Sequence, residues 1–219
     1  EHVAYRAADA RTSAPLATMR TSLGRCGEES TFAVTALRAV GIPARQCYTP
    51  RWAHCDDNHA WVEVWVTDSA GEGHWKHLGA CEPDPELDMG WFDIPSTRCM
   101  MVHSKAFGRY QGDEEVVVST PLYSELNLLG HYAPTRKVTV TVTDGRGDKP
   151  VAAAGAEVKF KLYNYSEYYT LATVKTDANG YYRMYPTTDC RHVYISFPSD
   201  CKITLNSNGQ PDFFKEYRL

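Results

Sequence analysis

The chain has 219 residues, with 23 Lys+Arg against 27 Asp+Glu for a formal net charge of −4, and 43% of its residues are hydrophobic. That apolar mass is enough for a buried core and excludes disorder as the main state. A mildly acidic balance with no Lys/Arg run argues against nucleic-acid binding, and no apolar stretch approaches the roughly 18 residues of a membrane span.

Residue 1 is Glu and no signal-peptide pattern follows, so a processed or excised chain is expected, with an exported or cell-surface setting ahead of a cytoplasmic one. The 7 Cys, at positions 26, 47, 55, 81, 99, 190 and 201, are too sparse for a disulfide scaffold. An odd count leaves at least one thiol free or paired outside the chain. Cys190 and Cys201 are a candidate disulfide for an exported protein, whereas Cys47 and Cys81 read as packed thiols.

In chain order, Gly24-Arg25-Cys26-Gly27-Glu28-Glu29 leads into Phe32, Ala33, Ala36, Leu37 and Val40 on one side of a 3.6-residue period. An amphipathic helix over residues 27–40 is predicted, with Glu28 and Glu29 suiting its positive end and Gly41 and Pro43 stopping it. Residues 42–48 read as a strand and 49–58 as a loop. His59 to Val66 alternates, with His59, Trp61, Glu63 and Trp65 opposite Ala60, Val62, Val64 and Val66. Residues 68–73 form a turn, and 75–81 return as the second strand of a hairpin. Residues 92–102 and 115–119 are further strand candidates.

The composition shifts at Ala133-Pro134-Thr135, since all 5 Trp precede it. Beyond it Val138, Val140 and Val142 alternate with threonines, and strands follow over 158–162, 171–175, 181–185 and 193–197, with Asn179-Gly180 as a hairpin signal. Regular short strands separated by turns predict a small sandwich.

The chemistry concentrates in the first part. Cys26 stands where a helix begins, and the N-terminal field of a helix favours a thiolate there. Gly24 and Gly27 leave room for a substrate backbone, and the first-turn N–H groups suit an oxyanion. A nucleophilic thiol needs a base, for which His59 at the head of a strand is the candidate. A third group has to fix the imidazole tautomer from the far end of the returning strand.

These motifs, Gly24-Arg25-Cys26-Gly27-Glu28, Gly41-Ile42-Pro43-Ala44-Arg45 and Asn58-His59-Ala60-Trp61-Val62-Glu63, resemble the transglutaminase-like superfamily over about residues 20–95. The resemblance implies a papain-like core and a Cys-His-acid triad working through a thioester, with Cys26 as nucleophile and His59 as base. Relatives carry an Asp, often followed by Pro, at the end of the strand after a Trp. Counted from Trp75 that position falls on Gly79, which cannot orient anything. Aligned on the acid-Pro pair it falls on Glu82-Pro83, so Glu82 is the expected third member, with Asp84 and then the Asp56-Asp57 pair as substitutes.

The residues after 135 resemble bacterial carboxypeptidase-regulatory-like or prealbumin-like β modules, through Val142-Thr143-Asp144-Gly145, Pro150-Val151, Gly155-Ala156-Glu157-Val158 and Thr176-Asp177-Ala178-Asn179-Gly180. That resemblance implies an accessory domain without chemistry of its own.

The expected fold class is therefore α+β, a papain-like transglutaminase core over 1–135 followed by an all-β sandwich over 136–219. The expected function is amide hydrolysis through a Cys26 thioester, favoured over amine transfer because transfer requires water to be excluded. The rival is a catalytically inactive glycan- or protein-binding protein, which Gly79 at the acid position favours. A protein or peptide substrate is the expected partner. No cofactor is expected, and no metal either: His54, Cys55, His59 and Cys81 match no paired ligand spacing. Of the tryptophans, Trp52 in the loop before His59 is the candidate groove wall, while Trp61, Trp65, Trp75 and Trp91 read as packing residues. The run Tyr163 to Tyr169 reads as cross-strand aromatic pairing.

Overall fold

A computed structural model describes residues 3–5, 12–135, 137–144, 151–184, 193–196, 201–206 and 214–216. In chain order its elements are β1 (Ala4–Tyr5), α1 (Pro15–Thr21), β2 (Leu23–Gly24), α2 (Cys26–Ala39), β3 (Ala44–Thr49), β4 (His59–Thr67), β5 (Gly73–Leu78), α3 (Asp93–Ser96), β6 (His103–Phe107), β7 (Glu115–Ser119) and β8 (Tyr123–Asn127). They continue with β9 (Val138–Asp144), β10 (Val151–Ala152), β11 (Glu157–Asn164), β12 (Glu167–Lys175), β13 (Tyr181–Met184), β14 (Val193–Ser196), β15 (Cys201–Asn206) and β16 (Phe214–Glu216). No helix among the described residues is long and apolar enough to cross a membrane. Contacts divide the chain into two compact units, Glu1–Thr49 with Asn58–Asp93, and Pro50–Asp57 with Ile94–Leu219.

In the first unit β3, β4 and β5 run antiparallel in the order β5-β4-β3. Ala33, Val34 and Leu37 of α2 pack on Ala44, Val62, Val64 and Val66. The buried stripe of α2 is thus narrower than its sequence period suggested: Val40, expected on it, caps the helix and is 74% exposed. On β4 the expected alternation in burial is absent, because residues 59–64 are buried whichever way they face. Register sets His59, Trp61 and Glu63 opposite Thr49, Cys47 and Arg45. Polar residues survive burial there because they are paired. Arg45 Nε lies 2.7 Å from Glu63 Oε2, and its guanidinium stacks 4.0 Å over Trp75.

The hairpin partner β5 stops at Leu78, opposite Val62. Continued register would have set Cys81 opposite His59, but the chain bends away from Gly79. Asp88 then ties the following loop back to β5, its carboxylate accepting the His77 N–H at 2.9 Å and its own N–H donating to the His77 carbonyl at 2.9 Å. Residues 92–102, read from sequence as a strand, are instead α3 and irregular chain. Asp93 accepts the Gly90 N–H at 3.1 Å, and Pro95 in the first turn suits a helix start rather than a ladder.

In the second unit β6, β8 and β7 run in that order. Further on, β10, β13 and β15 pair with β9, and a second sheet has the order β12-β11-β14-β16. Val138, Val140 and Val142 share one buried cluster with Val158, Phe160, Ala172 and Val174. Met100, Met101 and Val117 belong to the same cluster, so this core draws on residues from both sides of position 135. Asn179-Gly180 does not make a hairpin: β12 pairs with β11 and β13 pairs with β9, so the turn carries the chain from one sheet to the other. Gly180 takes φ +75° there, where an added side chain would collide with the Val142 carbonyl. The tight hairpin is β11–β12, turned by Tyr165 and Ser166 at φ 47° and 61°, residues that carry no glycine signal. Tyr163 and Tyr168 pair across it at 4.7 Å, as the aromatic run suggested. Beside it Asn164 Nδ2 donates to the Trp52 and Cys55 carbonyls, both at 2.7 Å, and its Oδ1 accepts from Arg51 Nε at 2.8 Å. Cys190 lies outside the described residues, and its pairing with Cys201 lies outside them too.

Candidate functional site

Cys26 is the first residue of α2, and the start of that helix is fixed from two sides. Glu28 Oε2 accepts the Arg25 backbone N–H at 3.1 Å and the Arg25 Nε at 3.1 Å. Burial works against the Glu28 carboxylate, but those hydrogen bonds and the Arg25 charge win and hold its pKa below the ordinary 4.5. From β3, Gln46 Nε2 donates to the Gly27 carbonyl at 3.0 Å, to Ser30 Oγ at 2.7 Å and to Thr31 Oγ1 at 3.1 Å. A reactive residue seated on two such anchors has little freedom to drift. The glycines have local uses: a β-carbon at Gly24 would meet Glu28 Cβ at 3.0 Å and Glu29 Cγ at 3.2 Å, and one at Gly27 would meet Thr12 Oγ1 at 3.2 Å.

His59 is the first residue of β4 and only 6% exposed. Its imidazole interacts with the Cys26 side chain and with Glu82, with Nε2 lying 3.0 Å from Glu82 Oε1. Burial pulls the imidazolium pKa down, but the hydrogen bonds to Cys26 and Glu82 and the charges of both outweigh it, raising it from 6.5 to about 9. Glu82 responds in the opposite sense. The hydrogen bond from His59 lowers its pKa below 4.5, burial opposes this, and Trp91 and the His59 charge add to the lowering. The structure therefore brings Cys26, His59 and Glu82 together within the first unit. Asp84, Asp56 and Asp57 are exposed, and the carboxylate that meets His59 is that of Glu82.

Aromatic rings frame the imidazole. Trp61, fully buried, stacks on Phe92 at 4.7 Å and 22°, and Phe92 lies 5.4 Å from His59. Trp91 lies 4.7 Å from His59 and donates its indole N–H to Glu82 Oε1 at 2.9 Å, while 51% of its surface stays exposed. Sequence reasoning had the two loop tryptophans reversed. Trp52, the expected groove wall, is 1% exposed and has no face to offer a substrate, whereas Trp91, read as packing, borders the site. The missed signal was its place in the loop after the acid-Pro pair.

A second thiol lies close by. Burial, the charges of Glu29, Glu82 and Cys26, and a hydrogen bond with Glu29 all raise the Cys81 pKa, which disfavours its thiolate. Among the described residues no group of three or more His, Cys, Asp or Glu is arranged to hold a metal ion.

A thiol at a helix start, an imidazole on it and a carboxylate behind the imidazole form an arrangement able to carry out acyl transfer. Residues 1–80 match the model of the transglutaminase-like superfamily, whose members are typically enzymes. The matched segment contains Cys26 and His59 and ends before Glu82. No curated protein and no solved structure matches the chain significantly.

Proposed function

We propose that the first unit is a cysteine amide hydrolase acting on peptide or side-chain amides through a thioester on Cys26. The observation that carries this reading is the His59 imidazole held between the Cys26 side chain and Glu82, with its pKa raised to about 9. Such a ring stands where it can exchange a proton with the sulfur.

Because Nε2 is turned to Glu82, Nδ1 is the nitrogen that exchanges protons with the sulfur. The Cys26 thiolate attacks the amide carbonyl carbon, forming the C–S bond, and negative charge moves onto the carbonyl oxygen. First-turn N–H groups of α2, which have no carbonyl one turn back, are the donors for that oxyanion. As the C–N bond breaks, His59 gives its proton to the leaving amine. Water then attacks the thioester, His59 takes its proton, and C–S cleavage releases the acid and restores the ion pair. Glu82 holds the tautomer and stabilises the imidazolium throughout.

Hydrolysis and transfer to a second amine share the thioester. The exposure of Trp91, and of the Glu82 side chain at 37%, brings water to the carboxylate side of the buried imidazole and supports hydrolysis. The inactive-binder reading drew on Gly79 at the acid position, and a Glu82 carboxylate 3.0 Å from His59 weighs against it.

Incubation with p-nitrophenyl acetate tests the reading. We expect an acyl adduct on Cys26, detected by peptide mass, forming ahead of any on Cys47, Cys55, Cys81 or Cys99 and lost on hydroxylamine treatment. Acylation of Cys26 no faster than of the other thiols would overturn it.

A further inference from the structure

Glu82 lies on irregular chain, where nothing regular holds a carboxylate in place. Two neighbours do so. The indole N–H of Trp91 is 2.9 Å from Glu82 Oε1, the oxygen that also meets His59 Nε2 at 3.0 Å. That one oxygen thus accepts from the indole and lies at ion-pair distance from the imidazole, which together limit the rotation of the carboxylate about its stem. Gly79 acts on the backbone. A β-carbon at position 79 would stand 2.8 Å from the Glu82 carbonyl oxygen, 3.3 Å from its carbon and 3.5 Å from Glu82 Cγ. The bend that brings Glu82 under His59 therefore occupies the space that a side chain at 79 would need.

Trp91 is itself well anchored. Phe92 beside it is fully buried and meets its ring edge-on at 6.0 Å and 82°. Asp93 Oδ1 lies 2.8 Å from His77 Nε2, and Asp93 Oδ2 accepts the Gly90 N–H, pinning the chain on both sides of Trp91 to β5 and its loop.

We propose that Trp91 and Gly79 are positioning residues for the orienting carboxylate, Trp91 by fixing its oxygen and Gly79 by vacating the space into which Glu82 folds. The inference rests on the reading of Cys26, His59 and Glu82 as the reacting group. It turns Gly79 from a missing acid into a condition for the acid three residues later.

The test is the titration of the His59 ring, followed by NMR in the full chain between about pH 5 and 11. The charged groups acting on that ring are the Cys26 sulfur from α2 and the Glu82 carboxylate. In the unsubstituted protein we expect the transition near 9. Trp91→Phe keeps an aromatic ring beside the imidazole but removes the N–H, freeing a half-exposed carboxylate to swing away. We expect it to lower the transition by about one pH unit, on the scale set by one hydrogen bond to a charged group. Gly79→Ala should move it the same way, and Glu82→Gln further than either. Should Gly79→Ala fail to fold, Trp91→Phe, an exposed ring-for-ring change, still decides the matter. A Trp91→Phe transition that coincides with the unsubstituted one, or lies above it, overturns the proposal. A transition near the ordinary 6.5 in the unsubstituted protein is a different result, and overturns the catalytic reading beneath it.

Discussion

Each compact unit buries a histidine against a glutamate. In the first, His59 Nε2 lies 3.0 Å from Glu82 Oε1; in the second, His103 Nδ1 lies 2.6 Å from Glu125 Oε1, with His103 1% exposed. By distance and burial alone the second pair is the tighter. Its residues stand on adjacent strands, β6 and β8, where a cross-strand contact with a carboxylate is an ordinary way to satisfy a buried ring. What sets His59 apart is the Cys26 sulfur, delivered from the start of a helix and hydrogen-bonded to the same imidazole. An imidazole on a carboxylate is a structural unit; it becomes a reactive one when a nucleophile shares its proton.

The sharpest way to break that comparison is to replace each histidine. His59→Gln should slow acylation of Cys26 by about a thousandfold or more, the scale of losing a nucleophile's base. His103→Gln should leave acylation within about twofold while costing about 1–3 kcal/mol of stability, since it removes one partner of a buried pair. Parallel rates of acylation and thermal melts separate the two. Comparable slowing by both would dissolve the distinction.

Next in size is the carboxylate. Glu82→Ala should reduce acylation by about tenfold to a hundredfold through loss of tautomer control, whereas Asp84→Ala should leave it within about twofold. Equal losses would move the orienting role away from Glu82.

A pH effect of definite sign follows. The folded pKa of His59, about 9, lies above its ordinary 6.5, so the protonated ring contributes stability that is fully present below about pH 6.5. That contribution fades as pH rises through about 9. The melting temperature of the unsubstituted protein should therefore fall between these limits more steeply than that of His59→Gln. Parallel curves would mean that the ring is not held as an imidazolium.

The smallest effect on chemistry is expected from the core of the second unit. Phe160→Ala, at a fully buried position, should cost about 3–5 kcal/mol of stability yet leave alkylation of Cys26 unchanged wherever the protein is folded. A change in the alkylation rate would couple that core to the site.

Much of this was legible in the chain, for identifiable reasons. A strand such as β9 has an unambiguous period, and Cys26 and His59 sit in compact motifs at the start of an element. The carboxylate could be narrowed to Glu82 because proline follows it, but its seat could not be read, since that depends on a bend at Gly79 and a ring nine residues further on. Asn179-Gly180 has the right residues for a hairpin and serves as a crossover, because pairing partners are chosen by the core and not by the turn. Tyr165-Ser166 turns the real hairpin without the residues usually demanded, so the β11–β12 pairing has to sustain two left-handed side-chain-bearing residues. Burial on both faces hid the alternation of β4, and loop position alone does not tell a tryptophan that is 1% exposed, Trp52, from one that is 51% exposed, Trp91.

The most direct measurement is competitive labelling by iodoacetamide at pH 6, read thiol by thiol from peptide masses in the native protein and in His59→Gln. The account predicts that Cys26 is labelled well ahead of Cys55 and Cys81, and that His59→Gln abolishes the lead. Labelling of Cys26 no faster than its neighbours, or a lead that survives loss of the imidazole, would contradict it.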